Sequence, residues 1–407
     1  MKDQLSMMPF FMVKQTGELF PTLQEAALTA GNVTINKDYA LFFRKVPVSV
    51  KKTYDTMAAS FCSNFVVKRN SLFKEINVVS LPIFEFMRPL FKRRVGTKAI
   101  KPEILANILV DKMFSFIESN WDTFKTHIMP HSSGYDSRLI SIILKKLVDK
   151  NGIDWLGELY FISWDPEVKG FKSIMVHEQW PEKHHVTITA NRGLDFYKNA
   201  VEFENVGKYC SDANRFICYC FDYIIYKAIE KLNVGNVQII SGLFSDEILR
   251  KEVSKNRRDV IWNNLSHFMV HFLHDVRFEW SMYDTLLPFI SFGVIDTILN
   301  YDLPKADQLK LMMIKSLDKK LAGLPNYRFE YFDIIKKEGI HPFYRLSKTV
   351  LCEMEASFKD SWYFKNVNGV VFPKLTTGLV NDSVWLKEYT KAAICEHIIN
   401  RGCIVNV

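Results

Sequence analysis

Between residues 101 and 241, stretches of strand character alternate with stretches of helical character, and this alternation constrains the fold more than any other feature of the chain. From Ile104 to Trp121 apolar residues recur at helical spacing: Ile104, Ile108, Met113, Phe116 and Ile117. Thr126 to Pro130 reads as a strand. The loop His131-Ser132-Ser133-Gly134-Tyr135 then feeds a helix from about Asp136 to Lys150, with Leu139, Ile140, Ile142, Ile143 and Leu147 on its apolar side. Further strands are expected at Glu158–Trp164, His185–Thr189 and Val237–Ser241, with a long helix from about Arg215 to Lys231. Strands separated by helices cannot close as hairpins; each crossover returns the chain parallel to the strand before it. The expected fold class is therefore α/β with a doubly wound parallel sheet. Beyond residue 256 the pattern is almost all helical, which predicts a helical C-terminal part.

The first hundred residues have a different rhythm. Val33–Ile35, Tyr39–Phe43 and Asn77–Phe84 read as short strands, and the basic run Lys92-Arg93-Arg94 with Gly96 marks a linker. The expected division is a small N-terminal α+β cap, residues 1–100, followed by the α/β unit, residues 101–407. At 407 residues the chain has room for this division.

Composition excludes several classes. Hydrophobic residues make up 48% and charged residues 24%, so the chain can bury a core and is not disordered as a whole. No stretch reaches the roughly 18 uncharged apolar residues of a membrane span. The most apolar segment, Leu286 to Leu299, is interrupted by Pro288, Gly293 and Asp296. The start Met1-Lys2-Asp3-Gln4 lacks the order of a secretory signal, and the seven cysteines are odd in number and irregular in spacing. A reducing, cytoplasmic setting without membrane contact is expected. Cys395, His397 and Cys403 lack the paired spacing of a zinc site, and His267, His271 and His274 share a helix face without a completing carboxylate. The net charge of +8 suits anionic ligands without choosing among them.

In a doubly wound sheet ligands bind beyond the C-terminal ends of the strands. Two loops leave such ends with the right chemistry. Ser132-Ser133-Gly134-Tyr135-Asp136-Ser137-Arg138 places small residues and hydroxyls before a helix N-terminus, an arrangement that receives anions. Asp136 suits such a loop when a divalent cation bridges it to phosphate oxygens. Ser241-Gly242-Leu243-Phe244-Ser245-Asp246-Glu247 also follows a strand, and Asp246 is the second candidate metal ligand. The alternative for each loop is an ordinary helix start capped by Ser or Asp.

The first loop resembles the SGGxDS pyrophosphate loop of the N-type ATP pyrophosphatases, and Gly242–Glu247 resembles the GxG[AS]DE loop of the asparagine synthetase synthetase domain. His184-His185 before the third strand, Pro288-Phe289-Ile290, and the ordered set Leu303-Pro304, Lys310, Lys315 and Leu324-Pro325 are similar to further landmarks of that family, so the resemblance covers roughly residues 104 to 326. It implies an adenine nucleotide alpha hydrolase-like (PP-loop, HUP) fold and an ATP-dependent ligase. Such an enzyme adenylates a carboxylate, releases pyrophosphate and passes the acyl group to an amine or ammonia. It further implies ATP and Mg²⁺ as ligands. Ser132, Ser133, Gly134, Asp136, Ser137 and Gly242 would bind the nucleotide, Asp136 and Asp246 the metal, and Arg138, Glu247, Lys310 and Lys315 are catalytic or substrate candidates.

Departures from the family pattern are specific. Ser133 replaces a Gly, Leu243 and Phe244 replace a Glu and a Gly, and the Arg that precedes the PFLD motif is absent. Lys336 or Lys337 is the candidate for the family's later Lys. Residue 2 is Lys and the first cysteine is Cys62, so no N-terminal glutaminase is expected; the cap reads as a reduced glutaminase-like remnant or as unrelated. Two other readings stand beside the ligase. One is a PP-loop enzyme that modifies a nucleic-acid base, motivated by Lys251, Lys255, Arg257 and Arg258. The other is a nucleotide-binding relic without catalysis. Nucleic acid is allowed but not required as a partner, and so is a homo-oligomer.

Overall fold

The computed structural model describes residues 9–20, 22–37, 68–80, 98–164, 168–188, 199, 201–210, 219–242, 245–249, 284–325, 348–370 and 383–407. The expected strand Tyr39–Phe43, the linker at Lys92–Gly96, the basic stretch Lys251–Arg258, the three histidines from His267 to His274, and Lys336 and Lys337 lie outside these residues. So do Cys62, Leu243 and Phe244.

The N-terminal part begins with strands β1 (Pro9–Val13) and β2 (Leu19–Phe20), helix α1 (Leu23–Ala30) and strand β3 (Asn32–Thr34). Strands β4 (Lys68–Asn70) and β5 (Ile76–Ser80) follow. Four of these strands form an antiparallel sheet in the order β2-β1-β5-β4. Helix α1 is punctuated at both ends: Thr22 accepts from the Glu25 amide, and Gly31 closes the helix at a φ of 69°.

The α/β part opens with helix α2 (Pro102–Asn120), with Pro102 at its first turn. Strand β6 (Thr126–Pro130), helix α3 (Tyr135–Asn151), strand β7 (Glu158–Trp164), helix α4 (Val168–His177) and strand β8 (His185–Ile188) continue it. After helices α5 (Phe203–Tyr209) and α6 (Tyr219–Leu232) come strand β9 (Val237–Ile240), the short helix α7 (Ser245–Leu249) and strand β10 (Asp284–Leu286). The five strands form one parallel sheet in the order β10-β9-β6-β7-β8. The chain thus runs outward from β6 in one direction and then restarts at β9 on the other side of β6. The crevice between β6 and β9 is the switch point of the sheet.

Both faces of the sheet are covered, as a parallel sheet requires. Side chains alternate along each strand. Met129, Leu159, Phe161, Ile240 and Leu286 join the large core with α2, α3 and α4. Ile128, Ile162, Val186, Val237 and Ile239 face α6 through Ile225, Ala228 and Ile229. The fold is α/β, with a parallel sheet between helical layers.

The segment beyond residue 256 departs from the all-helical expectation in two places. Asp284–Leu286 is the fifth strand, and β11 (Ile404–Asn406) pairs parallel with β3. Each spans three residues, too few for a period to register in a sequence. The other main elements among the described residues there are helices: α8 (Phe292–Asn300), α9 (Ala306–Leu317), α10 (Lys319–Ala322), α11 (Lys348–Asp360), α12 (Trp362–Asn366) and α13 (Ser383–Ile399). Helices α8 and α9 complete the large core. The last three pack with the N-terminal part, where Phe11, Leu23, Ala26 and Val33 share one buried cluster with Phe358, Tyr363, Ile394 and Ile398. Among the described residues no helix is long and apolar enough to cross a membrane.

Candidate nucleotide site

The loop after β6 is shaped by main-chain constraints. Ser133 adopts a φ of 41°, left-handed backbone that favours glycine. Two contacts hold it there. Its amide donates to Nδ1 of His131 at 3.2 Å, and its carbonyl accepts from Nη2 of Arg138 at 2.9 Å. Gly134 is the N-cap of α3 and brings no side-chain cap. A Cβ there would stand 3.2 Å from Oγ of Ser132. Ser132 and Ser137 approach through their hydroxyls at 3.5 Å, and Ser137 donates to the Gly134 carbonyl at 3.3 Å. The result is a helix N-terminus flanked by two hydroxyl groups, with no side chain seated on it as a cap.

The second loop meets the first at the switch point. A Cβ on Gly242 would lie 2.8 Å from Cβ of Asp136 and 3.2 Å from its carbonyl carbon. Only a residue without a side chain allows this approach. Lys310 reaches the same place from α9: its Nζ is 2.7 Å from Oδ1 of Asp136, and its side chain is 1% exposed against 29% for Asp136. Ser132, Ser133, Gly134, Asp136, Ser137, Gly242 and Lys310 therefore gather at one point. Asp246 and Glu247 ride on α7, directly after the second loop, and their side chains lie outside the described residues. Among the described residues no group of three or more His, Cys, Asp or Glu side chains is placed to hold a metal ion.

The remaining candidates go elsewhere. Lys315 sits in the last turn of α9 and is exposed. Pro288-Phe289-Ile290 is a buried 3-10 turn in the large core. His184 binds the Leu159 carbonyl through Nδ1 at 2.6 Å, and His185 pairs in register with Phe161; both lie at the start of β8, away from the strand ends that carry the loops. Cys395 is buried in α13, and Sγ of Cys403 donates to the Ala27 carbonyl at 3.3 Å.

Arg138 is the largest fully buried side chain near the loop. Its guanidinium donates to four main-chain carbonyls. Nη1 reaches Leu321 and Leu324, each at 3.0 Å, and Nη2 reaches Ser133 at 2.9 Å and Pro325 at 3.0 Å. It faces inward and joins the loop to the end of α10.

Beneath it lies a polar network that sequence reasoning does not find. His131 is fully buried, and burial, with Arg138 nearby, pushes its pKa down to about 3. It is therefore neutral. Because Nδ1 accepts from Ser133, its proton is on Nε2, directed at Oγ of Ser141 at 3.4 Å. Ser141 has one proton and two acceptor neighbours, the Arg138 carbonyl at 3.0 Å and Oε1 of Glu178 at 2.9 Å. The network closes when Ser141 donates to the carbonyl and Glu178 donates to Ser141. Burial pushes Glu178 up to about 8, consistent with a retained proton, while the Trp180 indole donates to its Oε2 at 2.7 Å. His177 meets Asp318 at 2.8 Å, and Asp318 caps α10 through the Lys320 and Leu321 amides. No pattern in the sequence marks His131, Ser141 or Glu178 as partners; their one signal is that His131 directly precedes the loop.

The arrangement can receive a polyphosphate: backbone donors and hydroxyls at a helix N-terminus, a buried cation beside them, and a glycine that leaves room next to the strand ends. A carboxylate at the same point suits a divalent ion bridging to phosphate. No known family model matches this chain, and no curated protein matches it.

Proposed function

We propose that this protein is an ATP-dependent ligase of the asparagine synthetase type, with an adenine nucleotide alpha hydrolase-like sheet. The observation that carries the reading is the convergence of the two loops at the switch point, with Gly242 against Asp136 and the buried Lys310 ion-paired to it at 2.7 Å. Both loops follow strands that flank the switch point, and Lys310 reaches it from α9.

A substrate carboxylate oxygen attacks the α-phosphorus of ATP. The bond from that phosphorus to the bridging oxygen breaks, and pyrophosphate leaves. An amine then attacks the acyl carbon of the adenylate, loses a proton and displaces AMP, leaving an amide. The chain's contribution is positioning and charge neutralisation. The amides at the start of α3 and the hydroxyls of Ser132 and Ser137 hold the β- and γ-phosphates. Lys310 balances the growing charge on the leaving pyrophosphate. Gly242 leaves space beside the adenosine. Asp136 and Asp246 would hold Mg²⁺, which would supply further charge neutralisation on the phosphates. Glu247 stands next to Asp246 as the candidate contact for the amine.

The test is exchange of labelled pyrophosphate into ATP across a panel of carboxylates. The wild-type chain supports exchange with at least one of them and releases AMP. Asp136→Ala and Asp246→Ala abolish it. Wild-type exchange in either variant overturns the metal assignment, and release of ADP overturns adenylation.

A further inference from the structure

We infer that Arg138 is a positioning residue that sets the anion loop in its binding shape through its bond to the Ser133 carbonyl, and makes the loop and the Leu321–Pro325 segment move as one body. This rests on the reading of the loop as a polyphosphate site.

Three observations converge on it. Ser133 holds a left-handed φ of 41° that a residue with a side chain adopts only when its surroundings enforce it. The Arg138 guanidinium supplies that enforcement on the carbonyl side, at 2.9 Å, while His131 supplies it on the amide side. The other three bonds of the same guanidinium end on Leu321, Leu324 and Pro325, which continue the chain from the helix that carries Lys310. A planar fork can span carbonyls from two segments at once; an ammonium group cannot hold four in that geometry. The first-turn amides of α3 point out of the helix N-terminus and Arg138 faces the core, so Arg138 acts on phosphate only through the backbone of the loop.

The experiment compares the wild-type full-length chain with Arg138→Met and Arg138→Lys. The affinities for ATP with Mg²⁺ and for AMP are measured by calorimetry, and backbone amide exchange by mass spectrometry. In Arg138→Met the affinity for ATP falls by about tenfold or more while that for AMP holds, because only the polyphosphate touches the loop. Amides of residues 131–137 and 319–325 exchange faster together, and those of β7 keep their protection. Arg138→Lys shows the same split at smaller size, and it decides the question if Arg138→Met does not fold. Equal weakening of ATP and AMP, unchanged loop protection in Arg138→Met, or wild-type behaviour of Arg138→Lys in both readouts overturns the inference. If the wild-type chain binds no ATP, the nucleotide reading falls, and concerted amide exchange of the two segments alone decides the role of Arg138.

Discussion

Asp136 and Lys310 form an unequal pair. Lys310 is 1% exposed and Asp136 29%, so the ammonium depends on its partner more than the carboxylate does. Removing one member of a buried pair strands the other, at a cost of about 3–5 kcal/mol when the stranded charge has no water. Asp136→Ala removes the carboxylate that meets the buried ammonium at 2.7 Å and is expected to cost about 3 kcal/mol, the lower end of that range. Lys310→Met leaves an apolar side chain in an apolar setting and a carboxylate that reaches solvent, so its expected cost is about 1 kcal/mol, the size of a partly exposed pair. The double variant is expected to be more stable than Asp136→Ala alone. Urea unfolding of the three proteins checks the order; equal costs for the single variants would mean that Asp136 is not what keeps Lys310 charged in the core. Gly242 belongs to the same scale. Its residue type was legible as part of a loop pattern, but the reason for it, an approach of 2.8 Å to Asp136, exists only once two distant loops have met.

Among elements, the most legible unit is β6, its loop and α3. The strand Thr126–Pro130 and the strand Glu158–Trp164 occupy the residues their apolar runs predict, and α3 begins and ends within a residue of its expected bounds. Both strands are buried on two faces, so hydrophobicity, bounded by turn residues, marks them. What ties these elements together was not legible. Glu178, just past the end of α4, and Ser141, on α3, meet only through the tertiary fold. That contact has a consequence for pH. The folded chain keeps the Glu178 proton to about pH 8, whereas the unfolded chain releases it near 4.5, so stability falls as pH rises between those values. His131 acts oppositely: folded near 3 and unfolded near 6.5, it favours folding as pH rises through that window. Above about pH 6.5 Glu178 is unopposed by His131, and its slope is at most about 1.4 kcal/mol per pH unit. Glu178→Gln keeps both hydrogen-bond roles of the protonated acid. It is expected to match wild type in thermal midpoint near pH 4.5 and to exceed it increasingly from there to about pH 8. A wild-type decline that persists in Glu178→Gln would place the titrating group elsewhere.

At the scale of the molecule, the two ends of the chain are joined. Val33 and Ile35 are buried with Ile394, Ile398 and Cys403, and β11 pairs with β3 through Val405 and Val33. A chain restricted to residues 101–407 loses the N-terminal side of that core and leaves Ile394 and Ile398 facing water. Such an open apolar surface favours association. The shortened chain is expected to aggregate or to unfold at lower denaturant than the full chain; an equally stable monomer would show that α13 needs no cover. Sequence alone determined the β and α rhythm of residues 101–241 and the helical character of most described elements after it. These are local properties, written in periodicity and residue type. The tertiary structure decided that β10 and β11 are strands, that Arg138 faces the core, and that Lys310 rather than Lys315 meets Asp136. Each of these depends on contacts between residues far apart in the chain, where burial and hydrogen bonding outweigh the weak preferences of a three-residue segment or a single charged side chain.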